Sequence, residues 1–209
     1  MKNLFNLLFA IIFIGTNGML IAQESATTSE NTASDYANRS PIYDYSEAHL
    51  NNTDSIPDFE TKNAKLKITG TIYQSDGVTP AKDIILFIYQ PDENGDYDMK
   101  VSNNKRYVHN RGWIKTDADG KYTFYTFVPG KYYRSGEFKT IHPVIKEPGK
   151  PEYNIYSFLF DDDPALTKSC RKKLERKGID AILTLDKKEG LFVAKKDIVL
   201  TAEAPENNL

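Results

Sequence analysis

The side chains able to do redox, acid–base or metal chemistry are few and unevenly placed. The chain has three histidines, His49, His109 and His142, one cysteine, Cys170, and thirteen tyrosines. A single cysteine can form no internal disulfide, so the core alone must hold the fold. Cys170 reads as a helix residue that packs or sits idle. On residue type alone, His142 on a strand is a packed histidine, and Tyr97 and Tyr132 are strand-end tyrosines. Asp117-Ala118-Asp119-Gly120 has the residues of a turn and lacks the rest of a calcium loop. The Asp161–Asp163 run reads as helix capping and the basic stretch Lys172–Lys177 as a solvated helix end. A net charge of −2 gives no reason to expect nucleic acid or an anionic membrane as a partner.

Short strands are expected to position these residues. Leu66, Ile68 and Ile72 alternate with polar residues, as in a half-buried strand, and Gly70 suggests a bulge. Ile84 to Tyr89 is a continuous apolar run, expected of a strand buried on both faces. The Asp-Ala-Asp-Gly turn reads as a hairpin between Trp113–Thr116 and Tyr122–Phe127. Further strands are expected from His142, over Tyr153–Phe160, near Ala181–Leu185 and over Leu191–Leu200. Trp113 reads as core. One helix is expected, with Asp163 as N-cap, Pro164 in its first turn and Gly178 as its stop. The pattern is all-β: an antiparallel β-sandwich with one short helix near the C-terminus.

The N-terminus has a different character. Lys2, the apolar run Leu4–Ile14 and Ala22-Gln23 have the layout of a signal peptide over residues 1–22, with an apolar core too short for a membrane span. An exported protein, periplasmic or extracellular, is therefore expected. Residues 23–62 are polar and aperiodic and read as a disordered linker. Tyr36, Tyr43 and Tyr45 could strap onto the domain, with a solvated tether favoured. The sandwich is expected over residues 63–203, with a tail at 204–209.

Five motifs in order add a family resemblance. These are Asn94-Gly95-Asp96-Tyr97, Arg111-Gly112-Trp113 before the aspartate turn, Pro129-Gly130-Lys131-Tyr132, Ile141-His142-Pro143 with Glu147-Pro148-Gly149, and Leu159-Phe160-Asp161-Asp162-Asp163-Pro164. Over residues 65 to 200 the chain resembles the intradiol ring-cleavage dioxygenases, in particular small exported bacterial ones.

The resemblance implies an oxidoreductase that inserts O2 between the two hydroxylated carbons of a catechol-type aromatic, giving a muconate-type diacid. It implies a non-haem Fe(III) cofactor held by two tyrosines and two histidines. Tyr97 and Tyr132 match the tyrosine ligands, and Tyr132 would also be catalytic, accepting a proton from the substrate. His142 matches the second histidine of the family's His-x-His pair. Thr140 stands where the first should be. Strand residues two apart share a face, so Thr140 still points with His142, but a neutral hydroxyl is a poor ligand. Water, Glu137 or His109 are the substitutes considered. Glu137 stands where many members have an arginine that steadies the substrate, which reverses the local charge. The alternative left open is an iron-free sandwich acting as an exported binding or cell-surface module.

Overall fold

In the computed structural model, the described residues are 36–131 and 136–201. The chain divides after Tyr36 into two units, and the described residues beyond Tyr36 belong to the second. The signal-peptide reading and Tyr132 both lie outside the described residues.

Two sheets face one another. The first is ordered β1 (Thr53–Ser55), β7 (Lys121–Phe127), β2 (Lys65–Tyr73), β13 (Leu191–Lys195), β12 (Asp186–Lys188), with β14 (Ile198–Val199) also on β2. The second is ordered β11 (Ile182–Leu183), β10 (Phe158–Phe160), β8 (Thr140–Lys146), β3 (Ile85–Tyr89), β6 (Arg111–Lys115), with β9 (Glu152–Asn154) on β8. A separate hairpin joins β4 (Met99–Ser102) to β5 (Lys105–Val108). The expected β-sandwich is therefore present. Most pairs are antiparallel, while β1, β13, β14 and β11 add parallel ones.

The alternation in β2 buries Leu66, Ile68 and Ile72 completely. They meet Leu86, Ile88, Ile141 and Ile145 from the second sheet in one core. Each such side chain contributes roughly 1.5–3 kcal/mol on burial. The run at β3 is covered on both faces, because Phe87 points to the opposite side and packs under Ile42 with Val144.

That cover corrects the linker reading over residues 37–62. A 3-10 turn, Pro41–Tyr43, buries Ile42 fully, and Ile56 is 2% exposed. β1 adds a parallel strand to β7. A few anchors among polar residues escape a reading based on average composition. Ile42 buries well because the second sheet offers it an apolar outer face, and Ile56 because its segment joins β7 of the first sheet, its amide donating to the Tyr125 carbonyl.

Three local readings are also corrected. Gly70 makes no bulge: β2 pairs with β7 residue for residue, Gly70 opposite Tyr122. A Cβ there would lie 1.8 Å from the Lys196 carbonyl oxygen, which also accepts from the buried Tyr122 hydroxyl at 2.6 Å. Close backbone approach explains the glycine. The aspartate turn is not a hairpin, since β6 lies in the second sheet and β7 in the first. Asp117 Oδ1 accepts from the Asp119 and Lys121 amides and Gly120 has φ +68°, so the residues specify a reversal without choosing the sheet. Finally, α1 spans Lys168–Arg176, capped by Thr167 accepting from the Cys170 amide, with Gly178 at φ +64° after it. Asp163 instead binds the Lys139 and Ala165 amides, bracing the chain ahead of β8.

Candidate metal centre

Strand register sets the site. On the outer face of the second sheet, Tyr89 lies opposite His142 and Phe87 opposite Val144 on one side. On the other side, Tyr89 faces Arg111 and Phe87 faces Trp113. The rings form a ladder: Trp113 stacks on Phe87 at 5.1 Å, Phe87 on Tyr89 at 5.8 Å, and Tyr89 on the His142 imidazole at 4.8 Å. Trp113 is thus a half-buried member of the outer face rather than of the inner core.

Tyr97 reaches the end of this ladder from the loop after β3. Asp92 shapes that loop, its Oδ1 accepting from the Asn94 and Asp96 amides. The Tyr97 hydroxyl lies 2.6 Å from His142 Nε2. Thr140 Oγ1 stands 3.2 Å from the same nitrogen, and Ser157 Oγ lies 3.0 Å from Nδ1. Burial holds the His142 pKa below its ordinary value, although Glu137 pulls it upward. A neutral imidazole that accepts at Nε2 carries its proton on Nδ1 and donates it to Ser157. The Nε2 lone pair is therefore aimed at Tyr97 and Thr140.

The phenol is perturbed in the complementary sense. Burial, then the nearby Tyr89 and Glu137, push Tyr97 up to about 12, while the hydrogen bond from Thr140 pulls the other way. The phenol stays protonated at neutral pH and donates to the imidazole. A cation placed between the two would reverse that preference.

The structure brings Tyr97, Thr140 and His142 together, with Glu137 exposed close by. It does not bring His109 to them: His109 Nε2 is engaged by the Asp58 carboxylate at 2.8 Å. Among the described residues, no three His, Cys, Asp or Glu side chains converge as a metal cluster. The donors that do converge are a phenol, an imidazole and an alcohol. A phenolate oxygen and an imidazole with its second nitrogen already engaged suit a hard transition-metal ion, with Thr140 the weak member. The two motif loops also start side by side. The Gly130 amide donates to the Asp92 carbonyl at 2.8 Å, and a Cβ on Gly130 would meet the Glu93 carbonyl oxygen at 2.2 Å.

Ser157 and Tyr89 were not expected from the sequence. Tyr89 was detectable in principle, since it ends the apolar run in the phase of Phe87. Ser157 carries no sequence signal and becomes visible only through its pairing with Nδ1.

Comparison with solved structures decides the architecture. The chain superposes on the dioxygenase domain of a dioxygenase–carbohydrate-binding protein fusion from the cellulolytic bacterium Streptomyces sp. SirexAA-E. The TM-score is 0.56 at 24% identity, over 75% of this chain and 92% of that one. The fold is that of the intradiol ring-cleavage dioxygenases. An intradiol ring-cleavage dioxygenase from Tetranychus urticae matches with TM-score 0.53 at 19% identity, covering 78% of this chain and 92% of the other. Mercury-inhibited catechol 1,2-dioxygenase from Acinetobacter sp. ADP1 gives 0.54 at 18% identity, over 72% of this chain and 57% of that enzyme. No protein-family model and no curated protein matches the sequence.

Proposed function

We propose that this protein is an exported non-haem Fe(III) oxidoreductase that cleaves a catechol-type aromatic between its two hydroxylated carbons. The observation that carries this reading is the 2.6 Å approach of Tyr97 Oη to His142 Nε2, with Nδ1 held by Ser157, on an intradiol dioxygenase fold. Tyr97 and His142 would hold the ion with Tyr132, and water would complete the set beside Thr140. The close approach of Gly130 to the loop that carries Tyr97 supports the inclusion of Tyr132. Bound there, ferric iron would supply Lewis-acid and redox activation of the diol.

The chain's own residues would do the rest. Ser157 fixes the imidazole tautomer, and Tyr89 stacks against the ring and holds its plane. The raised Tyr97 pKa means that its proton must leave when a cation arrives. Tyr132 would take up a proton from the substrate diol. Glu137 places a carboxylate near the pair, which favours a neutral or cationic substrate edge over a substrate carboxylate. Export rests on Lys2, the Leu4–Ile14 run and Ala22. Sequencing the N-terminus of protein recovered from outside the cytoplasm tests it, with Gln23 the expected first residue.

The central test is spectroscopic. Protein reconstituted with ferric iron should be reddish from tyrosinate-to-iron charge transfer, and Tyr97→Phe should shift or abolish the band. Oxygen uptake with catechol, protocatechuate and hydroxyquinol then reads turnover. Thr140→His should raise iron affinity. One observation favours a second reading, an iron-free binding module: the third converging donor is the neutral hydroxyl of Thr140. A colourless, iron-free protein after reconstitution would decide for it.

A further inference from the structure

We propose that the cavity beneath the Ser40–Pro41 segment is a second subsite that receives an aryl ring carried by the diol substrate. The inference rests on the reading above for the position of the diol and on separate observations for the ring. The cavity has a volume of about 400 Å³. For scale, a dry cavity of about 150 Å³ suffices to bind benzene. Phe87 and Tyr89 supply stacked rings, with interplanar angle 27°, and Pro41, Val108 and Val144 complete an apolar lining.

The two charged side chains on its rim, Arg111 and Glu152, each face a group of the protein itself. Arg111 has Asp44 at 3.9 Å and stands over the Tyr107 ring at 3.8 Å. Glu152 accepts from the Tyr43 hydroxyl at 2.5 Å. The aromatic and aliphatic lining favours a neutral flat ring as the occupant. Aromatic and aliphatic walls with a few polar groups are the usual make-up of a small-molecule pocket.

The cavity adjoins the side of the sheet that carries His142. A smaller cavity of about 240 Å³ is lined by His142 and Ser157, and it shares Tyr89 and Asn154 with the first. One molecule could place its diol at His142 and a second ring past Tyr89. The roof is preformed: Trp113 Nε1 donates to the Pro41 carbonyl at 3.0 Å, and Ile42 is fully buried beside it. A preformed roof spares the ordering cost of binding.

Trp113 provides the readout, being the only tryptophan and stacked on Phe87 at 5.1 Å. Binding of 4-methoxybiphenyl, which has no diol, should quench Trp113 emission saturably in the full chain without iron. Val108→Phe fills the cavity from β5 and should weaken that binding by about tenfold or more. Val108→Met gives a milder filling and an intermediate loss, and serves if the phenylalanine variant does not fold. With iron, the ratio of kcat/KM for 4-phenylcatechol over that for catechol should fall by a similar factor in Val108→Phe. Absence of saturable quenching in the wild type, or equal binding in the filled variants, overturns the subsite. Quenching that is lost on filling, in a protein that turns over no diol, upholds the subsite and removes the dioxygenase reading alone.

Discussion

Asp44→Ala should release the segment from Arg39 to Asp44 without unfolding the sandwich. The Asp44 side chain is 2% exposed and lies 2.7 Å from Lys105 Nζ, 3.1 Å from Arg39 Nε and 3.9 Å from Arg111 Nη1. The 31% exposure of Arg39 puts that pair near the surface regime, worth about 0–1 kcal/mol. Lys105, 5% exposed, puts its pair in the buried regime, where removing one partner costs about 3–5 kcal/mol. The loss falls on local docking, because Asp44 and Ile42 lie outside the main core between the sheets. At 3 kcal/mol the detached fraction rises roughly a hundredfold. Limited proteolysis should then cut within residues 37–58, while the sandwich resists, and Trp113 emission should shift as its bond to Pro41 is lost. Lys105→Met in the Asp44→Ala background should restore part of the protection by removing the buried ammonium. The wild-type pair should be nearly insensitive to salt, since buried charges are weakly screened. Cleavage and Trp113 emission unchanged by Asp44→Ala would refute the assignment of this carboxylate as the clamp.

Three further outcomes are expected. Gly130→Ala should separate the two motif loops, because the new Cβ would meet Glu93 O at 2.2 Å; reconstituted protein should lose its visible band before its melting temperature falls far. Ser157→Ala removes the oxygen 3.0 Å from His142 Nδ1 and should lower iron affinity about 10–100-fold, measured by competition with a chelator. The hydrogen bond from the Lys121 amide leads in holding the Asp117 carboxyl below its ordinary range, so its stabilisation is complete above about pH 4 and is lost as pH falls through the lowered folded value. Asp117→Asn should flatten that acid limb in a plot of melting temperature against pH.

The strands were legible where burial imposes a period. β2 alternates because one face meets the core, and β3 is continuous because both faces are covered. The partner of a strand was less legible. Asp117 and Gly120 specify a chain reversal, and nothing local distinguishes a hairpin from a corner between sheets. The helix start moved from Asp163 to Thr167 because both can cap, and the Lys139 amide claims Asp163. Residues 37–62 looked like linker because their order comes from a few distant partners, such as Lys105 for Asp44. Of the candidate site, Tyr97, Thr140 and His142 were readable by motif and strand parity. Ser157 and the pairing of His109 with Asp58 depend on tertiary packing.

The covered face of β3 and the candidate site have one origin. Because β3 is apolar outward as well as inward, its outer face needs a cover, and Ile42 supplies it over Phe87 and Val144. Tyr89 packs at the edge of that cluster, and it and His142 remain only partly buried at the end of the ladder. Tyr97 is 42% exposed as a residue, but the loss of solvent around its hydroxyl acts with the burial of His142 toward neutral forms. Desolvation lowers the His142 pKa and raises that of Tyr97, so each favours its neutral form. A neutral phenol donating to a neutral imidazole is satisfied with no ion between them, and Thr140 adds no charge to upset that balance. An ion must therefore supply enough attraction to replace the phenol proton. A trivalent cation would do this far more readily than a divalent one, so the proposed function requires an ion of ferric charge to displace the Tyr97 proton.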